Sequence, residues 1–141
     1  MNRLLIDTNV ILDLIDKREK FCRDAALLFS LADKEKIALE TSALTYANCH
    51  YILSRKHSSG KARAALRKLS LLVGTIPLSK TATDKSLNDD DFSDFEDGLQ
   101  YYSALENNID IIISRDKKGF KNSKIPVMSA KEFIVKFFYL G

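Results

Sequence analysis

The stretch "RLLIDTNVILDLI", residues 3–15, decides the fold. Its first apolar residues lead directly into Asp7, Thr8 and Asn9, and the apolar pattern then resumes from Val10 to Ile15. Burying a carboxylate costs several kcal/mol unless a charge partner or a cation compensates it. We therefore expect Asp7 to close a short buried strand and to meet a compensating group. The alternative is that Asp7 only caps the helix that follows, because Asp is a favoured N-cap residue.

The composition predicts one ordinary globular domain over residues 1–141. Hydrophobic residues make up 45% of the chain, as is usual in soluble globular proteins. No apolar run approaches the roughly 20 residues of a membrane span, and the first residues do not resemble a signal peptide. Cys22 and Cys49 form no CxxC pair, so the sequence does not predict a disulfide scaffold. We expect a cytoplasmic protein without membrane contact.

The charges are strongly segregated along the chain, although the net charge is only +3. Residues 41–83 contain no acidic residue, and their basic residues are Arg55, Lys56, Lys61, Arg63, Arg67, Lys68 and Lys80. Residues 84–97 carry a dense run of acids, and basic residues return over 115–124. A basic surface beside an acidic cluster can attract a polyanion and also hold a cation. Solvated helix faces remain the alternative explanation for each charge run taken alone.

Strand-like and helix-like patterns alternate along the chain. Short apolar runs predict strands at "RLLID", "KIALET", "TIPLS", "DIIIS" and "IPVMS". Helical patterns cover residues 9–16, 19–33, 42–56 and 61–73, with a short helix near Lys80. A capping box at residues 93–96 opens a further helix to about Asn107, and Ser129 caps the last one. This alternation predicts a three-layer α/β/α fold with a short central parallel sheet.

Acidic residues follow two of the predicted strands. Asp7 closes the first strand and Asp116 follows "DIIIS", and sites in parallel sheets form beyond the carboxyl ends of the strands. If the two strands are neighbours, these carboxylates converge. Asp97 is a better third ligand than Asp94 or Glu96, because helix capping and the helix dipole already explain those two.

Asn48 is a further candidate, a neutral amide among residues that form an apolar pattern. The predicted helix aligns it with an apolar stripe of Leu44, Ala47, Tyr51 and Ile52. A polar amide on such a face requires a hydrogen-bond partner. An ordinary buried asparagine bonded to backbone is the alternative to a functional role.

These motifs together resemble the PIN domain family. The resemblance rests on "LIDTNVILDLI", "TSALTYANCHYIL" near residue 41, "DFEDGLQYYSALENNIDIIISRDKKGF" from residue 94, and "IPVMSAKEF". The order and spacing of these motifs cover essentially the whole chain and look most similar to bacterial proteins related to VapC toxins. The resemblance implies a metal-dependent ribonuclease that acts on single-stranded or looped RNA. It also implies an antitoxin partner and a homodimer.

The resemblance carries over to individual positions. It implies that Asp7, Asp97 and Asp116 are the catalytic acids and the ligands of Mg²⁺ or Mn²⁺. The residues implied to support them are Thr8, Asn9 and Ser114. Two positions depart from the family pattern: Asn48, a further candidate catalytic residue, stands where a Glu is usual, and Gly119 stands where an Asp is frequent.

The basic residues are the predicted RNA contacts. They are Arg55, Lys56, Lys61, Arg63, Arg67 and Lys68, with Arg115, Lys117, Lys118 and Lys121 near the last acid. Phosphate contacts of this kind set affinity and its salt dependence but carry no sequence information. Neither histidine is predicted to be the base. His50 lacks the further ligands of a zinc site, and a dipole role at a helix end explains His57 as well as a phosphate contact does.

Three functions stay open at this point. The first is a divalent-metal-dependent endoribonuclease that is the toxin of a toxin–antitoxin pair. The second is a catalytically degenerate PIN domain that binds RNA or a protein without cleavage, because Asn48 and Gly119 depart from the family pattern. The third is a phosphatase of the haloacid dehalogenase class. That chemistry needs a second Asp two residues after Asp7, where this chain has Asn9.

Overall fold

The computed structural model describes the backbone of residues 2–140 and the side chains of residues 2–139. Its strands are β1 (Asn2–Ile6), β2 (Ile37–Ser42), β3 (Val73–Ile76), β4 (Ile111–Ile113) and β5 (Val127–Met128). They form one parallel sheet in the order β3-β2-β1-β4-β5. The predicted parallel sheet is confirmed, and its central strand is β1.

Helices connect the strands. They are α1 (Thr8–Ile15), α2 (Cys22–Asp33), α3 (Ala43–Lys56), α4 (Ser59–Leu69), α5 (Lys80–Leu87), α6 (Phe95–Glu106) and α7 (Ala130–Val135), which continues as a π-helical turn over Lys136–Leu140. Four of them begin after a serine whose hydroxyl accepts from a backbone N–H of the first turn; these caps are Ser42, Ser58, Ser79 and Ser129. Among the helices described, none has the length and apolar character needed to cross a membrane.

Both faces of the sheet are covered, which confirms the three-layer architecture. Successive side chains of a strand point to opposite faces. Leu4 and Ile6 pack with α1, α2, α3, α4 and α7 on one side. Leu5 and Ile112 pack with Tyr101 of α6 on the other side. All four aliphatic side chains are at most 1% exposed, and burying each one contributes about 1.5–3 kcal/mol.

Two helix boundaries differ from the prediction because local turns compete with helical spacing. Helix α2 begins at Cys22 rather than near residue 19, because residues 18–21 form a separate turn in which the Phe21 backbone N–H donates to the Arg18 carbonyl oxygen at 2.9 Å. Helix α4 begins at Ser59, inside the predicted break, because Ser58 caps it. It ends at Leu69, whereas the prediction continued it through the first residue of β3.

The predicted capping box on Ser93 is wrong. Asp94 is the N-cap of α6, and its Oδ1 accepts from the backbone N–H of Glu96 at 2.8 Å and of Asp97 at 3.4 Å. A carboxylate is at least as good a cap as a hydroxyl. The shift by one residue makes Glu96 and Asp97 the second and third residues of the helix.

Candidate active site

Asp7 lies at the carboxyl end of β1, where the strand meets α1. It is 8% exposed. Its Oδ1 accepts from the Thr8 backbone N–H at 2.8 Å and caps α1. Its Oδ2 accepts from Ser114 Oγ at 2.7 Å. Asp7 is therefore a helix cap and also a member of a side-chain network that reaches β4.

Ser114 connects the ends of the two central strands. Strand β1 pairs with β4 so that Ile6 lies opposite Ile113, which brings the next residue, Ser114, beside Asp7. While Ser114 Oγ donates to Asp7, it also accepts from the backbone N–H of Asp116 at 3.0 Å. The two strand ends thus meet as their sequences suggested, and one buried hydroxyl holds both acidic residues.

Asp97 is half-buried in the first turn of α6. Burial raises the pKa of Asp97 to about 7, and the negative charges of Asp94, Asp7, Asp116 and Glu96 add to this effect, in that order. Nearby carboxylates disfavour each other's ionised forms. Asp97 therefore lies within electrostatic range of Asp7, which follows β1, and of Asp116, which follows β4.

Gly119 closes the site from the loop after β4. Its backbone N–H donates to Asp116 Oδ1 at 3.0 Å. A Cβ atom added to Gly119 would lie 2.6 Å from Asp116 Oδ2 and closer still to Asp97 Oδ2. Both carboxylates therefore reach the same point beside Gly119. At this position, where the sequence departs from the family pattern, a side chain would displace one or both carboxylates.

The predicted apolar stripe on α3 is wrong. Tyr51 is 61% exposed and Ile52 is 38% exposed. The buried residues of the helix are instead Thr45, Cys49 and Leu53. Asn48 is half-buried beside them, and its Nδ2 donates to Glu96 Oε1 at 2.7 Å. The partner that Asn48 requires is therefore a carboxylate on α6.

Gln100 is a site residue that sequence reasoning missed. It is 5% exposed, and its Nε2 donates to Asp7 Oδ1 at 3.4 Å. The sequence spacing could have indicated this role, because residues three apart share a helix face and Gln100 follows Asp97 by three. Asn9 supports the site less directly, since its Oδ1 accepts from the Arg115 backbone N–H at 3.4 Å.

Cys49 and the two histidines form no hydrogen bond with Asp7, Asp97 or Asp116 among the described residues. Burial raises the pKa of the Cys49 thiol to about 12, and the charge of Asp7 adds to the rise, so this thiol stays protonated and is a poor nucleophile. The His50 ring lies 3.3 Å from the hydroxyl oxygen of Ser59. His57 Nε2 lies 3.2 Å from Asp16 Oδ1.

The predicted RNA contacts fall into two groups. Most are exposed on α3 and α4, namely Arg55, Lys56, Lys61, Arg63, Arg67 and Lys68. Lys118 and Lys121 are exposed in the loop after β4. Two residues of that loop are engaged elsewhere: Arg115 Nε and Nη2 both bond to Asp13 at 3.0 Å, and Lys117 pairs with Glu132.

A shallow groove runs between α3 and α4. Tyr46, Ala47 and His50 of α3 line one side. Arg63 and Arg67 of α4 line the other side. The two arginines bring positive charge to this groove, which suits a polyanion.

The acidic cluster of the site consists of four side chains, those of Asp7, Asp97, Asp116 and Glu96. None of the ion pairs formed among residues 2–140 involves Asp7, Asp97, Asp116 or Glu96. In the same part of the chain, no three Asp, Glu, His or Cys side chains stand close enough together to enclose one ion. The cluster is therefore open. Its oxygen donors suit Mg²⁺ or Mn²⁺, and Mg²⁺ often takes only one or two carboxylates and keeps several waters.

The comparison with known families identifies the fold. The profile of the PIN domain family matches residues 3–118. The chain belongs to the PIN domain family.

Individual relatives are consistent with this assignment. The chain is 29% identical to "Ribonuclease VapC1" of Aquifex aeolicus (strain VF5) over 135 residues, which cover 93% of this chain and 92% of that protein. The structure is similar to VapC20 of Mycobacterium tuberculosis, a "Sarcin-Ricin loop cleaving toxin", with a TM-score of 0.66 at 15% identity over 84% of this chain and 94% of that one. A toxin–antitoxin complex from Klebsiella pneumoniae gives a TM-score of 0.63 at 22% identity over 90% and 97% of the two chains.

Proposed function

We propose that this protein is an endoribonuclease that hydrolyses RNA phosphodiester bonds with a divalent cation, Mg²⁺ or Mn²⁺. The observation that carries the proposal is the convergence of Asp7, Asp97 and Asp116 from three elements without a basic partner. The relative from Aquifex aeolicus, a ribonuclease at 29% identity over most of both chains, supports the same activity. Divalent-metal dependence is general among PIN ribonucleases, and the choice between the two ions is part of this proposal.

The proposed reaction joins a water oxygen to phosphorus, breaks the bond from phosphorus to the leaving oxygen, and gives that oxygen a proton. A bound divalent cation supplies an activated water and neutralises charge on the phosphate. Asp7, Asp97 and Asp116 are the residues that would hold it. Ser114 and Gln100 orient Asp7, because each donates to a different oxygen of its carboxylate.

Substrate binding is assigned to the basic surface. Arg63 and Arg67 line the groove between α3 and α4, and their charges suit the phosphates of RNA. Lys118 and Lys121 are exposed in the loop after β4, which also carries Asp116. Arg115 is a weaker candidate than the sequence suggested, because Asp13 already satisfies its guanidinium. Single-stranded or looped RNA is the proposed substrate class.

The biological role that we propose is the toxin of a toxin–antitoxin pair in the cytoplasm. Solved complexes of related fold contain an antitoxin, and one of them is the Klebsiella pneumoniae complex at 22% identity. A single domain that assembles into a homodimer is the accompanying proposal. The test is to look for a small reading frame beside the gene and to co-express its product, which should form a stable complex and relieve growth arrest; growth arrest without any such antitoxin would contradict the proposed pair.

The second candidate function is RNA or protein binding without cleavage. Two observations favour it: an amide, Asn48, occupies a position where the family usually has a Glu, and no three acids of residues 2–140 enclose one point. This reading predicts salt-dependent RNA binding and no metal-dependent product.

Calorimetry with Mn²⁺ and Mg²⁺, run beside cleavage of a mixed RNA pool, separates the two candidates. Wild type should bind the ion and cut, and Asp7→Asn should do neither. Asp33→Asn is the matched control, because Asp33 is exposed at the end of α2, which leads into the amino end of β2, away from the site. Metal binding without cleavage in the wild type, rescued by Asn48→Glu, would support the degenerate reading. No metal binding at all would overturn the proposed reaction.

A further inference from the structure

A hydrogen bond between side chains joins α3 to α6 at the edge of the acidic cluster. Asn48 Nδ2 donates to Glu96 Oε1 at 2.7 Å across 48 residues of sequence. Glu96 immediately precedes Asp97 in the first turn of α6. Cys49, the residue after Asn48, lies with its Sγ 4.0 Å from a backbone carbonyl oxygen in the first turn of α1. The contact therefore joins the first turn of α6 to the part of α3 that meets the start of α1, where Asp7 is the N-cap.

Neither the capping of α6 nor its helix dipole requires the hydrogen bond between Asn48 and Glu96. Asp94 already caps the backbone N–H of Glu96 at 2.8 Å. The helix dipole favours a negative charge in the first turn whichever way the side chain turns. An exposed Glu side chain is otherwise free to rotate, and ordering it costs side-chain entropy. The bond to Asn48 thus selects one direction for a carboxylate that no ion pair among residues 2–140 engages.

We propose that Glu96, positioned by Asn48, is the fourth acidic residue of the site and faces the bound cation or one of its waters. A carboxylate has two oxygens that can each accept hydrogen bonds. Asn48 occupies Oε1 and leaves Oε2 for that purpose. The inference rests on the proposed metal-dependent function and concerns only how this chain completes its acidic set. Helix α3 contributes a neutral amide, and α6 contributes the charge.

A charge exchange between the two positions tests the proposal. In Asn48→Glu/Glu96→Gln the net charge is unchanged and the hydrogen bond is reversed, because the amide introduced on α6 donates to the carboxylate introduced on α3. Mn²⁺ affinity measured by calorimetry is the readout. Glu96→Gln should weaken Mn²⁺ binding by about 10-fold, within the 10–100-fold range for groups that support metal ligands. The exchanged variant should return to within about threefold of the wild type.

Glu106→Gln is the matched control for loss of one negative charge on the same helix. Glu106 ends α6, about 15 Å from Glu96 at 1.5 Å per residue. The glutamine can still accept from the Ser79 hydroxyl, which bonds to Glu106 at 2.7 Å. Its Mn²⁺ affinity should equal that of the wild type. Urea unfolding of each variant in EDTA separately reports any loss of helix stability.

A double-mutant cycle tests whether Asn48 acts through Glu96. Asn48→Ala should weaken Mn²⁺ binding in the wild type but have no further effect in the Glu96→Gln background, because coupled residues are not additive. Equal Mn²⁺ affinity of Glu96→Gln and Glu106→Gln would overturn the proposal, and so would an exchanged variant as weak as Glu96→Gln. Asp7→Asn distinguishes this failure from that of the proposed function. If Asp7→Asn alone abolishes metal binding, only the role of Glu96 is rejected; if it does not, the metal site itself is rejected.

Discussion

Ser114 and Asp7 are joined by a buried 2.7 Å hydrogen bond, although 107 residues separate them in sequence. The same hydroxyl accepts from the Asp116 backbone N–H, so its removal leaves two acidic residues without their shared support. Ser114→Ala should lower Mn²⁺ affinity and RNA cleavage by about 10–100-fold. It should also cost about 1–3 kcal/mol of unfolding free energy, because Asp7 loses a partner in a buried position. Calorimetry and urea unfolding measure the two effects.

Ser103→Ala is the matched control for Ser114→Ala. Ser103 is fully buried in α6, and its hydroxyl has no hydrogen-bond partner among the described residues. Removing an unsatisfied buried hydroxyl should leave stability unchanged or raise it slightly. Equal losses of metal affinity in the two variants would show that Ser114 acts through packing rather than through its bond to Asp7.

The raised pKa of Asp97 predicts a pH dependence of stability in metal-free protein. The folded-state pKa is about 7, above the ordinary value of 3.8, so the folded state binds the Asp97 proton more tightly than the unfolded state. The resulting stabilisation is fully present below pH 3.8 and is lost as the pH rises through about 7. Urea unfolding in EDTA between pH 4 and pH 8 should therefore show a decline that Asp97→Asn lacks. A parallel decline in both proteins would contradict the assignment to Asp97.

Metal binding should displace the proton of Asp97. A divalent cation binds the ionised carboxylate, so binding at pH 6 should release a proton that binding at pH 8 does not. Calorimetric enthalpies measured in two buffers with different heats of ionisation give the number of protons released. Identical proton release at both pH values would mean that Asp97 is already ionised before the cation binds.

Gly119→Ala should damage the site while sparing the fold. The added Cβ meets the ends of the Asp97 and Asp116 side chains rather than backbone, and side-chain ends can move at little cost. The carboxylates then leave their common point, and we expect Mn²⁺ affinity to fall by about 10-fold, like other changes that displace metal ligands. Gly60→Ala is the control, because a Cβ at Gly60 in α4 meets nothing within 4 Å. Equal Mn²⁺ affinity of the two alanine variants would contradict the steric account.

Variants of Arg115 and Arg67 should distinguish an arginine that stabilises the fold from one that binds RNA. Asp13 is 3% exposed and accepts two bonds from Arg115. Arg115→Ala should therefore cost about 1–3 kcal/mol in urea unfolding, and Arg115→Lys should not restore it, because lysine lacks the planar fork. Loss of RNA affinity without loss of stability in Arg115→Ala would reverse this assignment.

Arg67 is exposed on the groove and should show the opposite behaviour. Arg67→Ala should leave stability unchanged within about 0.5 kcal/mol. It should also reduce the slope of log affinity against log salt for single-stranded RNA by about 0.7. An unchanged slope in filter-binding assays would show that RNA phosphates do not contact Arg67 in the α3–α4 groove.

The elements that could be predicted are those whose local sequence pattern matches their position in the sheet. The apolar residues before Asp7 and before Ser114 predicted two buried strands of a parallel sheet, and the structure shows that the two strands are neighbours. The orientation of α3 was not predictable in the same way. Tyr51 and Ile52 are apolar yet exposed, because Thr45, Cys49 and Leu53 face the core instead. Gln100 and Gly119 were missed as site residues because their roles depend on contacts between distant elements.

The order β3-β2-β1-β4-β5 also determines when the site can exist during synthesis. The strand that carries Asp7 is made first but occupies the middle of the sheet, and one of its two neighbours, β4, begins only at Ile111. Pairings between distant segments form late, because the entropy of closing the intervening loop opposes them. A ribosome-bound chain that ends before Asp116 lacks one of the three acids and the glycine that faces two of them. The proposed nuclease therefore cannot assemble its acidic site until β4 and the loop after it have been synthesised.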